Sequence, residues 1–157
     1  MPEVEIRGVE QVDALMRRLR THGDGVAIRK ELMRGLNHET KSVRADMKAS
    51  IGPSLPSRGG LAALVMAKAS LTTQAAFGKY AGVRIRVRGR KGGGDIGRMN
   101  QTGIVRHPVF GNRSAWVSQT EGVDPGFLDE PFMKSKPEVT RGIQRVLDDI
   151  ARKVEGR

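Results

Sequence analysis

Apolar and polar positions recur with two different periods along this 157-residue chain, and the switches between them outline its elements. Val4 and Ile6 alternate with Glu3, Glu5 and Arg7, the period-two pattern of a short strand. Val9, Val12, Leu15, Met16 and Leu19 then fall on one helical stripe. Arg17, Arg18 and Arg20 gather near the C-terminal end of that helix, where cations suit the dipole, and Thr21-His22-Gly23 closes it. Asp24 is placed to cap a second helix, whose stripe is Ile28, Leu32, Leu36, Val43 and Met47 and which Gly52-Pro53 stops. From Gly25 to Ser50 this helix would measure about 39 Å at ~1.5 Å per residue. That exceeds what a compact domain of this size needs and points to a helix reaching across a neighbour.

Residues 51–60 hold two prolines and three glycines and read as a flexible loop. A short apolar helix over Leu61–Ala69 follows, and then β-type sequence. Val83, Ile85 and Val87 alternate with Arg84, Arg86 and Arg88, which predicts a strand with one buried and one cationic face. Gly89–Gly97 is expected to be a flexible hairpin tip or long loop. Strands are expected at Gly103–Val109 and Ser114–Thr120, with Gly111-Asn112 as the turn signal between them. At the end of the chain Val139, Ile143, Val146, Leu147, Ile150 and Val154 follow helical spacing. Ser135 and Glu138 fit a capping box with Pro137 in the first turn, which places Phe132 and Met133 just before the helix. The order helix, helix, strands, helix predicts an α+β fold. N-terminal helices and a long C-terminal helix would pack on one small antiparallel β-sheet with long loops, as a single domain over 1–157.

Composition narrows the chemistry. Aromatics are few, with four Phe, one Trp (Trp116) and one Tyr (Tyr80), so the core must be built mainly from aliphatic residues and Met. The absence of Cys excludes disulfides, thiol nucleophiles and cysteine-ligated metal sites. No charged-then-apolar leader opens the chain, and the apolar run Leu61–Leu71 carries Lys68 and is too short to span a bilayer. These features point to a soluble protein without an export signal.

The net charge of +11 is concentrated in the middle of the chain. Residues 51–120 carry eleven basic groups and one acid, Asp95, while the flanking segments are close to neutral. A basic face of this kind attracts polyanions over about 8–10 Å at ordinary salt, whether nucleic acid or an acidic protein surface. Single-strand binding would call for aromatic stacking platforms, of which this chain has almost none, and duplex reading for a basic recognition helix, whereas these helices are mixed in charge. The Arg84/Arg86/Arg88 ladder, with Arg90 and Lys91 beyond it, is the candidate docking feature, since guanidinium pairs bidentately with phosphate or carboxylate. The competing reading is a solvated sheet face whose charges guard against edge pairing.

Catalytic chemistry finds little footing. The glycine-rich segment lacks the spacing of a phosphate-binding loop, and no βαβ pattern surrounds it. His22, His38 and His107 share no metal-ligand spacing, Asp148-Asp149 point apart on a helix, and no Ser sits in a nucleophile elbow. The expectation is a non-enzyme with no catalytic, cofactor-binding or metal-ligating residue and no cofactor.

At Arg106-His107-Pro108-Val109-Phe110-Gly111-Asn112-Arg113, then Trp116-Val117 and Pro125-Gly126-Phe127, the chain is similar to the head–tail joining proteins of long-tailed double-stranded-DNA bacteriophages, the neck or tail-completion family. The resemblance continues through Glu130-Pro131-Phe132 into the C-terminal helix, and upstream through the 56–61 stretch and the Val-Arg-Ile-Arg-Val strand. It covers most of 25–157 and is sharpest over 106–132. Its motifs are structural, so no active-site residue is carried over. The resemblance implies a virion subunit, assembled in the bacterial host cytoplasm, that forms a homo-oligomeric ring with sixfold symmetry in the neck. The ring would join the head connector or stopper to the tail tube or its terminator, and DNA would pass through its lumen. The Arg ladder would meet either an acidic neighbouring ring or the DNA backbone. A cationic lumen would drag on moving DNA, which favours the protein. The alternative is a basic nucleic-acid-binding module acting independently of a virion.

Overall fold

The computed structural model describes residues 3–7, 17, 25–76, 82–89, 95–109 and 111–155. Apart from Arg17, the expected first helix over residues 9–20 lies outside the described residues, as do its closing turn at 21–23, Asp24, Arg90, Lys91 and Phe110. The described chain is α+β with a long C-terminal helix. In order it forms strand β1 (Glu3–Arg7), helices α1 (Gly25–Glu39) and α2 (Lys41–Ser50), a 3-10 turn at Arg58–Gly60, and helix α3 (Leu61–Lys68). Strands β2 (Ala69–Ala76) and β3 (Gly82–Gly89), helix α4 (Ile96–Thr102), strands β4 (Val105–Val109) and β5 (Asn112–Gln119), and helix α5 (Asp129–Glu155) complete it.

The strands form two antiparallel sheets where one was expected. The first has the order β1-β3-β2, so β3, with its Val83, Ile85 and Val87 all buried, is its centre. The second is the β4–β5 pair alone. The strand at Ala69–Ala76 has few β-branched residues, yet its register sets Leu71, Thr73 and Ala75 opposite Val87, Ile85 and Val83, which extends the apolar face.

The expected helix over 25–50 is two helices. At Thr40 the backbone reaches φ −94°, ψ 0°, and the segments α1 and α2 meet there. The cause lies in the side chain. Thr40 is fully buried, and its Oγ1 donates back to the Leu36 carbonyl at 2.8 Å or shares a 2.6 Å hydrogen bond with Oγ1 of Thr73 on β2. Such back-bonding bends helices.

Within the chain, α5 packs along this pair. Helix α5 runs antiparallel to it: Lys153 pairs with Glu31, Val146 lies against Gly35, Arg145 Nη2 is 3.9 Å from Glu39, and Ser50 Oγ donates to the Phe127 carbonyl at 2.6 Å. The 27 residues of α5 span about 40 Å, which matches the length they cover. The two sides approach closely at Gly35, where an added Cβ would stand 2.6 Å from Val146 Cγ1. Gly35→Val is therefore expected to force the helices apart and cost about 1–3 kcal/mol, read as a lower denaturant midpoint at unchanged slope.

The C-terminal helix begins at Asp129, two turns earlier than the capping-box reading placed it. Gly126 takes φ +79° and its carbonyl accepts from the amides of Asp129 and Glu130, so the true start is set by that glycine and by the acidic first turn. Ser135 and Glu138 lie inside the helix, and Pro137 interrupts its hydrogen-bond ladder on the solvent side. Phe132 is fully buried and extends the stripe of Val139, Ile143, Leu147, Ile150 and Val154 back to Leu128.

Residues 51–57 form turns and bends before the 3-10 segment at Arg58–Gly60, and Ile51 and Leu55 within them belong to the core. Helix α4 was hidden in the glycine-rich expectation. The Asp95 carboxylate accepts from the Arg98 amide at 3.1 Å, Ile96 and Met99 are buried, and Gly103 at φ +64° ends the helix.

Candidate functional site

The Arg ladder lies on the polar face of the three-stranded sheet, as the alternation predicted, but it does not stand alone. In the register Glu5 is opposite Arg84 and Glu3 is opposite Arg86 on one side. Gln74, Thr72 and Ser70 are opposite Arg84, Arg86 and Arg88 on the other. Directly opposed residues share a face of a sheet, and opposite charges there are worth roughly 0.2–1 kcal/mol per pair. Arg84 and Arg86 are only partly exposed, and Arg86 Nε is buried without a hydrogen-bond acceptor among the described residues. Arg88 is the exposed rung, and it has no acid opposite it. The ladder is thus half-buried at Arg84 and Arg86 and fully outward at Arg88.

Charge reversal at Arg84 consequently sets two carboxylates at directly opposed positions. Arg84→Glu is expected to lower stability by about 1 kcal/mol, while Arg88→Glu leaves it within about 0.5 kcal/mol. Parallel denaturant titrations of the two variants check this, and equal losses would contradict it. Arg88→Glu is accordingly the substitution with which to test docking by this face.

The residues that carry the resemblance divide into two groups. The first builds the β4–β5 hairpin, in which β4 starts from the buried Val105 and β5 is exposed on both faces. Every residue of β5 from Asn112 to Ser118 is exposed. Arg106 is opposite Ser118, His107 opposite Val117 and Pro108 opposite Trp116, with a register irregularity between Pro108 and Val109. Gly111 turns the hairpin at φ +79°, and the Asn112 side-chain oxygen accepts from the Ser114 amide at 3.0 Å. Trp116 donates its indole N–H to the Arg113 carbonyl at 2.8 Å and still shows 49% of its surface, beside Val117 at 42%. His107 Nδ1 lies 3.3 Å from the Pro108 carbonyl, a local contact.

The second group is a buried anchor. Pro125 is exposed, but Gly126 donates its amide to the Asn100 carbonyl at 2.6 Å and Phe127 is buried in the core. Asn100 Oδ1 accepts from the Leu128 amide at 2.8 Å, and its Nδ2 donates to Asp129 at 2.9 Å. Asn100 was not singled out from the sequence. Its only signal there is an amide at helical spacing among apolar residues. Met133 was placed before the helix, and it lies instead on the solvent side of α5, with 59% of its surface exposed.

Two open grooves run along α5. One of about 440 Å³ is lined by His38, Glu39, Ser42 and Glu138, among others, and one of about 470 Å³ by Glu31, Arg34, Asp149 and Lys153, among others. Among the described residues no three His, Asp or Glu side chains gather to hold a metal ion, and no described helix is long and apolar enough to cross a membrane. The β4–β5 hairpin thus presents exposed apolar and cationic side chains, and Asn100, in the helix that precedes it, bonds the start of α5. Comparison of the chain with protein-family models, with curated proteins and with solved structures finds no match.

Proposed function

We propose that this chain is a structural subunit of the neck of a long-tailed phage virion. Copies form a ring between the head connector and the tail tube, assembled in the host cytoplasm, and DNA passes through the lumen. The subunit works by burying surface against its neighbours and catalyses nothing. The observation that carries this reading is the β4–β5 hairpin, an arm with Trp116 and Val117 in solvent on opposite faces. A two-stranded ribbon of this kind is marginal on its own, and the resemblance falls on its surface residues rather than on the core alone. The acids at the register positions opposite Arg84 and Arg86 support the same reading, since they lower the net positive charge along that sheet for a polyanion.

The test is the mass of the purified protein by light scattering, alone and with a head-connector ring, at low and high salt. The expected result is a ring-sized species, alone or formed on the connector. A monomer that ignores the connector and shifts only with DNA would replace this reading with the independent nucleic-acid module. In that case log affinity would fall with log salt at about 0.9 per phosphate neutralised.

A further inference from the structure

We propose that the β4–β5 hairpin is the projecting half of a head-to-tail contact between copies of this chain, seating Trp116 on the Met133 surface of helix α5 in the next copy. The inference deepens the ring reading and rests on it. Its starting point is that two of the largest exposed apolar side chains, Trp116 and Met133, sit on different elements and remain uncovered within one subunit. An indole face against a thioether is a favourable pairing, worth roughly 0.3–1.5 kcal/mol, and Trp, Met and Arg are enriched in the buried centres of interfaces.

The surroundings of the two side chains are complementary as well. Residues 96–120 contain three arginines and no acid, whereas residues 121–130, which lead into α5, contain four acids and no base. Arg106 is exposed on the same face of the hairpin as Trp116, and Arg113 is exposed on the same strand. Neither has an ion-pair partner among the described residues. On the receiving side Asp129, Glu130, Lys136 and Pro137 flank Met133 at helical spacing, two acids against one base, and Glu130 is exposed. Pro137 adds one more element. Having no N–H, it leaves the Met133 carbonyl without its helical donor, so an acceptor stands beside the apolar side chain for a guanidinium to use.

Both halves of the contact are carried by one chain, which is why a second copy is the occupant. The halves are different patches, so the contact is heterologous. Such contacts propagate from copy to copy and close into a ring when the rotation permits.

Trp116 is the only tryptophan, so its emission reports this contact directly. In a concentration series of the full chain, alone and on the connector, emission is expected to shift to shorter wavelength as mass rises. Trp116→Ala and Met133→Glu should each weaken self-association by roughly 30-fold or more, the scale of an interface hot spot. Circular dichroism should be unchanged, since both side chains are exposed. The decisive arm is an equimolar mixture of the two variants. One intact hairpin then meets one intact receiving surface, so a dimer forms and growth stops there.

Trp116→Ala that assembles like the parent, a mixture that stays monomeric, or parent emission that never shifts would each overturn the proposal. Rings formed equally by Trp116→Ala would leave the neck reading standing and remove only this contact. Variants that complement in the mixture, from a chain that ignores the connector, would do the reverse.

Discussion

Phe132→Ala is expected to cost about 3–5 kcal/mol of folding stability, the range for truncating a buried aromatic. Phe132 has 1% of its surface exposed and is the largest of the fully buried side chains among the described residues. It lies near the start of α5, where the stripe of that helix joins the core formed with α1, α2 and the β3 face. Removing the ring forfeits its transfer free energy and leaves a cavity that close-packed neighbours fill only in part. Against a total of about 5–15 kcal/mol for an ordinary domain, the variant would be marginal at room temperature. Met133→Ala is the internal control. It is the adjacent residue, turned about 100° around the helix into solvent, and its loss is expected to change stability by less than about 0.5 kcal/mol. Denaturant titrations of the pair decide the matter. A small loss at Phe132 would mean that the helix begins where the capping box suggested, at Ser135, with Phe132 outside the packed stripe.

That contrast shows where the sequence could be read and where it could not. Periodicity located the apolar face of β3, the stripe of α1 and α2, and the stripe of α5 from Val139 onward, because burial on one face leaves a direct trace in spacing. It failed where local signals competed. Ser135, Pro137 and Glu138 make a credible helix start, yet the Gly126 turn and the burial of Leu128 and Phe132 extend the helix past them. The glycines before Asp95 hid α4, whose existence depends on a single cap and two buried side chains. The Arg ladder was legible as a stripe of charge, but its meaning depended on Glu3 and Glu5, about eighty positions away in sequence. Strand pairing at that separation leaves no mark on either segment. Trp116 was visible as a residue, whereas its exposure on a strand with two wet faces was not.

Asn100→Ala is expected to cost roughly 3 kcal/mol and to lower the melting temperature by about 6–12 °C. Asn100 is 1% exposed, and its side chain spends both polar atoms on the start of α5: Oδ1 on the Leu128 amide and Nδ2 on the Asp129 carboxylate. Alanine removes both partners. Leu128 is fully buried, so its amide cannot turn to water and bears the desolvation penalty of about 1–3 kcal/mol, while Asp129 loses a charge-assisted bond of similar worth. Hydrogen exchange separates this from a general loss of stability. The Leu128 amide should lose protection in Asn100→Ala well beyond what the global change accounts for. Asn100→Asp keeps the acceptor for that amide while setting a carboxylate against Asp129, so it should destabilise the fold yet retain the Leu128 protection. The Gly126 amide also bonds the Asn100 backbone carbonyl, so α4 holds the segment that links the end of the hairpin at Gln119 to the first turn of α5. If Trp116 and Met133 are the two halves of one contact between copies, their relative placement in each subunit passes through this residue. Asn100→Ala should then weaken self-association at temperatures where the subunit is still folded, although residue 100 touches neither half.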